Sequence, residues 1–175
     1  GVLLLLSDST NIERLDPTLS EVTIYHQFEK WFDRSNGLTL VSMFSSNISR
    51  MGQLFKLAKK MGKKVAITGR SVEQNIRLAK ELGYLEDAQN VLIPLSDVNS
   101  QKRNKVIVLA SGCQGEYRSA LTRISNGMHS EVHLQEGDLV LLSSKFIPGN
   151  EKAIGQMINR LFIQMKKRIY FLIFF

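Results

Sequence analysis

Polar and charged side chains that could hold an anion occur directly after five apolar runs of the sequence. The segments that follow these runs are SDSTN, SSNISR, GRS, SGCQGE and SSKFIPGNE. They are rich in hydroxyls, amides and glycine, and two of them add a guanidinium, that of Arg50 and that of Arg70. Backbone N–H groups, hydroxyls and arginines bind phosphate groups in proteins. The pattern favours a polar rim that binds an anionic ligand over loops that only reverse the chain.

Asp8 is the acidic residue of the first of these segments, and it lies between Ser7 and Ser9. An Asp that directly follows a strand ordinarily caps the next helix or turn, because its carboxylate accepts hydrogen bonds from free backbone N–H groups. The spacing by itself therefore favours a capping role for Asp8.

The usual sequence patterns of nucleotide and metal chemistry are missing. GCQGE contains GxxG rather than GxGxxG, and there is no GxxxxGK[ST] loop, which disfavours a dinucleotide-dependent dehydrogenase and a P-loop enzyme. His129 and His133 have the i, i+4 spacing of a helical metal site, but HSEVH is typical of an extended segment with surface histidines. Cys113 has no histidine near it in the sequence and is expected to be a buried or half-buried thiol.

Seven short apolar runs are predicted to form strands that position these groups. Most are continuously apolar, as in strands covered on both faces. They are VLLLL, LTLVSMF, KVAIT, NVLIPL, KVIVLA, DLVLLSS and RIYFLIF. Amphipathic helices are predicted between them, at residues 19–31, 48–61, 72–82, 116–125 and 150–165. Ser20 is the expected N-cap of the first helix and Gly83 the C-cap of the third.

The order of these elements predicts an α/β fold with a mostly parallel twisted sheet and helices on both faces. In such sheets ligands bind beyond the carboxyl ends of the strands, where the polar segments lie. HLQEGD before LVLLSS predicts a turn and one local antiparallel element.

Length and charge narrow the class of protein further. A chain of 175 residues fits a single domain, here residues 1–175, and the lone cysteine favours a reducing, cytoplasmic setting. The net charge of +7 is concentrated in residues 51–105. The lysines of that stretch either attract a polyanion such as RNA or form a solvated helix face; they are Lys56, Lys59, Lys60, Lys63 and Lys64. No apolar run reaches the roughly 18 to 20 residues of a membrane span, so no membrane partner is expected.

Six short segments occur in an order that is similar to one known family. They are LLSDSTN, FSSNISR, GRS, the Gly-Tyr of AKELGYL, GCQGE followed by SALTRISNG, and IPGNE. From residue 2 to about residue 159, they resemble the β-CASP region of ribonuclease J, a family of metallo-β-lactamase-type RNA-processing enzymes. Each segment is short, and the order of all six carries the resemblance.

The resemblance implies a Rossmann-like three-layer β-CASP domain that works with a catalytic domain. In that family a His-rich metallo-β-lactamase domain holds two zinc ions, which activate a water that attacks an RNA phosphodiester. The β-CASP domain is inserted into it and closes over the RNA. Asp8 matches the acidic residue of motif A, which lies beside the metals and orients a histidine, so the resemblance implies a catalytic role for Asp8.

The resemblance also implies contacts with RNA. One matching loop lines the pocket for a 5′-monophosphate or the neighbouring nucleotide, and a second lies on the same cleft. The residues of these two loops are Ser45, Ser46, Asn47, Gln114, Gly115 and Glu116.

The sequence departs from the family at several points. The family's SNIHR reads SNISR, its GSQGEP reads GCQGEY, and the tail after Asn159 drifts from the pattern. The expected zinc ligands lie outside the chain, so we expect a fragment, truncated at both ends relative to its parent, that is inactive and holds no zinc by itself.

The parent implied by the resemblance is a zinc-dependent exo- and endoribonuclease of RNA processing and decay. The expected partners of the chain are RNA and the metallo-β-lactamase domain of the same parent chain, and a homo-oligomeric parent is compatible with this interpretation. A free-standing, non-catalytic RNA- or nucleotide-binding α/β module is the alternative.

Overall fold

Four parallel strands form the sheet of the described residues in the order β2-β3-β1-β4. The structure is a computed structural model, and it describes residues 2–7 and 20–165. The strands are β1 Thr39–Met43, β2 Lys64–Thr68, β3 Val106–Ala110 and β4 Leu139–Ser143. The predicted α/β fold with a mostly parallel sheet is confirmed.

Helices connect and cover these strands. They are α1 Glu21–Arg34, α2 Ile48–Lys60, α3 Arg70–Glu81, α4 Ala88–Val91, α5 Ala120–Ser125 and α6 Glu151–Met165, with short 3-10 segments at Leu95–Ser100 and Arg103–Lys105. The predicted N-cap of the first helix is confirmed, since Ser20 accepts the backbone N–H of Val22 at 3.2 Å. The C-cap of α3 is Leu82 rather than Gly83, and Gly83, with φ +79°, is the residue that follows it.

The sheet is covered on both faces, which explains why its strands are continuously apolar. Every residue of β1, β3 and β4 is buried. The apolar faces of α1 to α4 pack with one set of strand side chains, including Val41 and Leu109. The faces of α5 and α6 pack with the alternate set, including Leu40 and Val108. These two layers fix the orientation of the strands and thus the position of the loops that follow them.

The carboxyl ends of the strands are level with one another. Ala110 of β3 pairs with Ser42 of β1 and with Thr68 of β2, and Met43 of β1 pairs with Ser143 of β4. Because all strands run in the same direction, the segments that follow them emerge at one edge of the sheet.

Two strand predictions are wrong. Residues 2–6 form no strand, and their side chains are 72–101% exposed. A strand buried on both faces needs a pairing neighbour and two covering layers, and the described part of the chain supplies neither to this run. In residues 90–95, Ile93 donates its N–H to Val65, but Pro94 has no N–H to continue the ladder. That run contributes one isolated bridge, between Leu92 and Val65.

The predicted antiparallel element before β4 is also wrong, because β4 pairs in parallel with β1. The turn itself exists and is closed by Asp138, whose carboxylate accepts the N–H groups of Gln135 and Leu38 at 2.8 Å each. Asp138 thereby ties the turn to the start of β1. The predicted strand at RIYFLIF lies outside the described residues.

Candidate anion-binding cleft

A cleft of about 740 Å³ opens at the carboxyl ends of β1, β2 and β3. Three of the five segments predicted to form a polar rim, SSNISR, GRS and SGCQGE, contribute to its wall. Its polar lining consists of Ser45, Thr68, Gly69, Arg70, Ser71, Glu73, Gln74, Ser111, Gly112, Glu116, Arg118, Ser119 and Arg123. These three of the five predicted segments therefore converge here, and SSKFIPGNE does not line the cleft.

Two glycines allow the loops to pack closely enough to form this cleft. Gly69 and Gly112 have φ +111° and +110°, a backbone conformation that L side chains rarely adopt. A Cβ at Gly69 would lie 2.0 Å from the Oγ of Ser111, and a Cβ at Gly112 would lie 2.0 Å from the Oγ of Ser119. The glycines therefore bring two hydroxyls to the floor of the cleft.

The charges in the cleft are arranged so that the arginines stay available. Glu73 accepts the N–H of Gly69 at 3.2 Å, and Glu116 accepts the N–H of Gln114 at 3.1 Å. Both carboxylates thus bind backbone donors. In the described part of the chain, none of the three cleft arginines, Arg70, Arg118 and Arg123, belongs to an ion pair. The cleft has an excess of positive charge and suits an anion.

The predicted loop after β1 is divided between the cleft and the start of α2. Ser45 lines the cleft, and its carbonyl accepts the side-chain amide of Asn75 at 2.7 Å. Ser46 lines a neighbouring groove. Asn47 is the N-cap of α2, and its side chain accepts the N–H of Arg50 at 3.0 Å. Of the three predicted residues, Ser45 is the one that faces the cleft.

Arg50 does not reach the cleft. Its guanidinium donates to both carboxylate oxygens of Glu21, at 2.6 and 3.1 Å, and to the carbonyl of Ser143 at 2.7 Å. A bidentate ion pair of this kind is geometrically specific, and it joins α1, α2 and the end of β4. In this structure Arg50 ties these three elements together, while Arg70, the other arginine predicted for the rim, lines the cleft.

The three residues predicted for RNA contacts in the GCQGE loop differ in exposure and in role. Gln114 is buried, and its side chain donates to the carbonyl of Lys145 and accepts the N–H of Ile147, both at 2.9 Å. Gly115 packs on α6, where a Cβ would lie 2.8 Å from the carbonyl carbon of Ala153. Glu116 is exposed and lines the cleft. Gln114 and Gly115 therefore hold the loop, and Glu116 faces the ligand space.

The lysines of residues 51–105 mostly have partners. Lys59 pairs with Asp87 at 2.7 Å and Lys60 with Glu29 at 2.6 Å, both at exposed positions. Lys63 is buried and donates to the carbonyl of Asn104. Burial lowers the pKa of Lys63, and the neighbouring charge of Lys105 lowers it further.

Sequence reasoning missed the role of His129, which was expected at the surface. The ring is buried, and its Nδ1 accepts the N–H groups of Glu131 and Val132 at 3.2 and 3.1 Å. A neutral ring that accepts at Nδ1 carries its proton on Nε2, which then donates to the hydroxyl of Thr68 at 3.0 Å. His129 therefore holds its own turn against the end of β2. His133, in contrast, is exposed as expected.

Burial lowers the pKa of His129, and the charges of Arg123 and His133 lower it further, while Glu131 acts in the opposite direction. Cys113 is buried, as predicted, and its burial raises the pKa of the thiol. Neither side chain is a reactive group exposed in the cleft.

Sequence reasoning also missed two of the three cleft arginines. Arg118 and Arg123 lie on either side of Ser119, the N-cap of α5. A polar segment with arginines around a helix N-cap directly after a buried strand was the available signal.

The profile of the family described as "Ribonuclease J, beta-CASP domain" matches residues 36–161. This range contains all the strands described above and every loop that lines the cleft. The chain belongs to the ribonuclease J β-CASP family.

Individual ribonuclease J proteins show the same relationship. The chain is 39% identical to Ribonuclease J of Helicobacter pylori strain J99 over 170 residues, which cover 97% of the chain and 25% of that protein. It is 38% identical to Ribonuclease J of Synechocystis, with 97% and 27% covered. It is 41% identical to Ribonuclease J of Thermus thermophilus over 162 residues, with 93% and 28% covered. The chain thus spans about a quarter of the length of these relatives.

The residues that the structure describes do not fit the zinc ions implied by the ribonuclease J family. Among them, no three His, Cys, Asp or Glu side chains cluster as a metal site would require. Asp8, the predicted catalytic residue, lies outside the described residues, and its role stays a prediction. In the same described ranges, no helix is both long and apolar enough to cross a membrane.

Proposed function

We propose that this chain is the β-CASP portion of a zinc-dependent ribonuclease J-type exo- and endoribonuclease that acts in RNA processing and decay. In this proposal the chain binds RNA and closes the active-site cleft against a metallo-β-lactamase domain of the same parent chain. That domain supplies the zinc, and the present chain does not hydrolyse RNA by itself.

The observation that carries this proposal is the electrostatic arrangement of the cleft. Both acidic side chains that line it bind backbone N–H groups, whereas its arginines form no ion pairs within the described ranges. Three guanidinium groups lie in the cleft with two carboxylates, and the net positive charge that remains attracts an anion. Because the relatives are named ribonucleases, we infer that the anion bound in this cleft is a phosphate of RNA.

Within the cleft we assign the phosphate contacts to Arg70, Ser45 and the hydroxyl of Ser111, since the hydroxyl of Ser119 caps α5 and donates to Thr122. Arg70 is exposed at the first position of α3, where free backbone N–H groups add to its positive charge. Glu116 lies at the rim and repels a phosphate that is placed wrongly, which contributes to positioning rather than to affinity.

The predicted residues that do not line the cleft have a supporting role in this proposal. Asn47 and Arg50 hold the start of α2, and Gln114 and Gly115 hold the loop after β3. Asp8 would act in the parent enzyme by orienting a histidine of the metal-binding domain.

The experiment compares two arginines of one helix. We expect the chain to bind a short 5′-monophosphorylated RNA, and Arg70→Gln to weaken that binding by about tenfold or more, the value of a charge-assisted hydrogen bond. Arg77→Gln removes the same charge from an exposed position of α3 that does not line the cleft, and it should have little effect. Fluorescence anisotropy at fixed salt measures both affinities.

Equal weakening by the two variants would overturn the assignment of the cleft, because only the net charge would then matter. The proposal also states that the chain neither supplies the zinc nor hydrolyses RNA by itself. Incubation of the chain with the same RNA and added zinc tests this statement. RNA cleavage, or zinc that stays bound at one ion per chain after dialysis, would contradict a chain that depends on another domain for its chemistry.

A further inference from the structure

A second cleft, of about 850 Å³, adjoins the first along α5 and α6. It shares Arg70, Arg118 and Arg123 with the anion-binding cleft, so the two clefts lie next to each other on either side of these arginines. Its other side chains come from the loop before α5, from α5 and its C-terminal turn, and from one face of α6. They are Tyr117, Thr122, Asn126, Met128, Ala153, Gln156, Met157 and Arg160. We call this second cleft the arginine groove.

The arginine groove has four guanidinium groups and no carboxylate in its lining. Among the described residues, none of these four arginines is in an ion pair, although the same structure pairs Arg50 and Arg103 with acidic side chains. Arg160 extends the positive surface beyond the anion-binding cleft, to the outer part of α6. A row of unpaired positive charges along a groove suits a ligand with several negative charges rather than a single anion.

The groove also presents apolar surface to the solvent beside these charges. The side chain of Tyr117 is 86% exposed and that of Met128 is 73% exposed. Gly115, with φ +74°, turns the chain so that its backbone lies against Ala153 of α6, and this brings Tyr117 to the wall of the groove. An aromatic ring with a free face next to arginines is the arrangement on which an unpaired nucleobase stacks.

We propose that the arginine groove binds the part of a single-stranded RNA that continues from the nucleotide held in the anion-binding cleft. This inference rests on the proposed function, because it extends the same RNA across the shared arginines. Arg160 binds a backbone phosphate, and Tyr117 stacks on a base. Duplex RNA should bind more weakly than a single strand, because its bases are already stacked and paired and cannot stack on Tyr117.

The test uses the full chain and two RNAs that carry a 5′-monophosphate and a 3′-fluorophore, one of about three and one of about ten nucleotides, since single-strand sites span several nucleotides. Arg160→Gln should weaken binding of the long RNA by about 5- to 20-fold and leave the short RNA unchanged. A plot of the logarithm of the binding constant against the logarithm of the salt concentration has a negative slope. Arg160→Gln should make this slope less steep by about 0.7, the value for one phosphate contact with a single strand. Tyr117→Leu should weaken the long RNA by about 5- to 50-fold, and Tyr117→Phe should not.

Matched controls remove the same groups elsewhere. Lys152→Gln takes a charge from an exposed position of α6 that does not line the groove, and Tyr84→Leu removes a tyrosine that is 73% exposed in another part of the surface. Both should leave the affinity for the long RNA unchanged.

Several results would overturn the inference. One such result is a long RNA that binds no tighter than the short one. Another is an Arg160→Gln variant whose affinity for the long RNA equals that of Lys152→Gln. Duplex RNA or polyglutamate that competes as well as the single strand would also overturn it, in favour of a site for any polyanion. Binding of neither RNA would overturn the groove and the cleft together. Long RNA that binds through Arg160 while the short RNA does not bind would support the groove and contradict the proposed cleft.

Discussion

Replacement of Gln114 by Ala should destabilise the chain without removing the groups that bind RNA. The side-chain amide of Gln114 donates to the carbonyl of Lys145 and accepts the N–H of Ile147, each at 2.9 Å. Longer contacts of 3.5 Å join it to Ser144 and Asn150. The amide thus clamps the loop after β3 to the loop after β4.

The magnitude follows from the two hydrogen bonds to backbone groups that Ala would remove. A buried, unsatisfied polar group costs about 1–3 kcal/mol, and the lower half of that range applies here because both contacts are only partly buried. Loss of the buried side-chain methylenes adds about 1 kcal/mol. We therefore expect a loss of about 3–5 kcal/mol in the free energy of unfolding, or about 6–20 °C in Tm.

Gln114→Glu distinguishes the contribution of the amide hydrogen bonds to stability from the contribution of side-chain packing. It keeps the shape and the acceptor for Ile147, but it places a carboxylate oxygen against the carbonyl of Lys145. At pH 7 this variant should be at least as unstable as Gln114→Ala, because a buried charge then faces an acceptor. When the pH falls, the carboxyl becomes protonated and can donate to that carbonyl, so the stability of Gln114→Glu relative to Ala should recover.

The assay is urea unfolding followed by circular dichroism, beside RNA affinity measured well below the transition. An unchanged unfolding midpoint together with lost RNA binding would refute the clamp, and it would make Gln114 a direct contact of the ligand, as the resemblance to the family implies.

Two further predictions concern the residues that shape the cleft. Because the pKa of His129 is lowered in the folded chain, the unfolded chain binds more protons below the unperturbed value of about 6.5, so stability should fall as the pH falls through that range. His129→Asn, whose side-chain oxygen can accept the same backbone N–H groups, should abolish this fall in urea titrations at pH 7.5 and 5.5; an unaltered pH dependence would contradict it. Gly112→Ala should cost about 2–4 kcal/mol because it combines a positive φ with a clash against Ser119, whereas Gly137→Ala, at φ +91° with open space, should cost about 1 kcal/mol; equal costs would argue against the clash.

The sheet could be predicted from the sequence because burial on both faces leaves a strong local signal. Of the six apolar runs that lie in the described residues, four are strands, and all four are bounded by polar segments on the carboxyl side. The run at residues 90–95 shows the limit of that signal. Its apolar content matches a strand, but a single proline removes the hydrogen bond that would extend the ladder, and one bridge remains.

The cleft was predicted in outline, and the roles of its side chains were not. Level strand ends bring the polar segments together, and this follows from a parallel sheet alone. Whether a polar side chain in those segments faces the ligand space or a neighbouring loop depends on tertiary contacts. His129 illustrates this, since its partner Thr68 lies 61 positions away in the chain.

The two arginines predicted for the rim show how the fold decides between structure and binding. Both follow a strand of the same sheet within a few residues. Arg50 lies in the first turn of α2, where Glu21 of α1 and the end of β4 are within reach, and its guanidinium binds both. Arg70 begins α3 beyond the edge strand β2, where the neighbouring acid, Glu73, binds a backbone N–H instead. An arginine becomes available for a ligand when the nearby carboxylates bind backbone donors, as in the cleft, or when no carboxylate lines the site, as in the arginine groove.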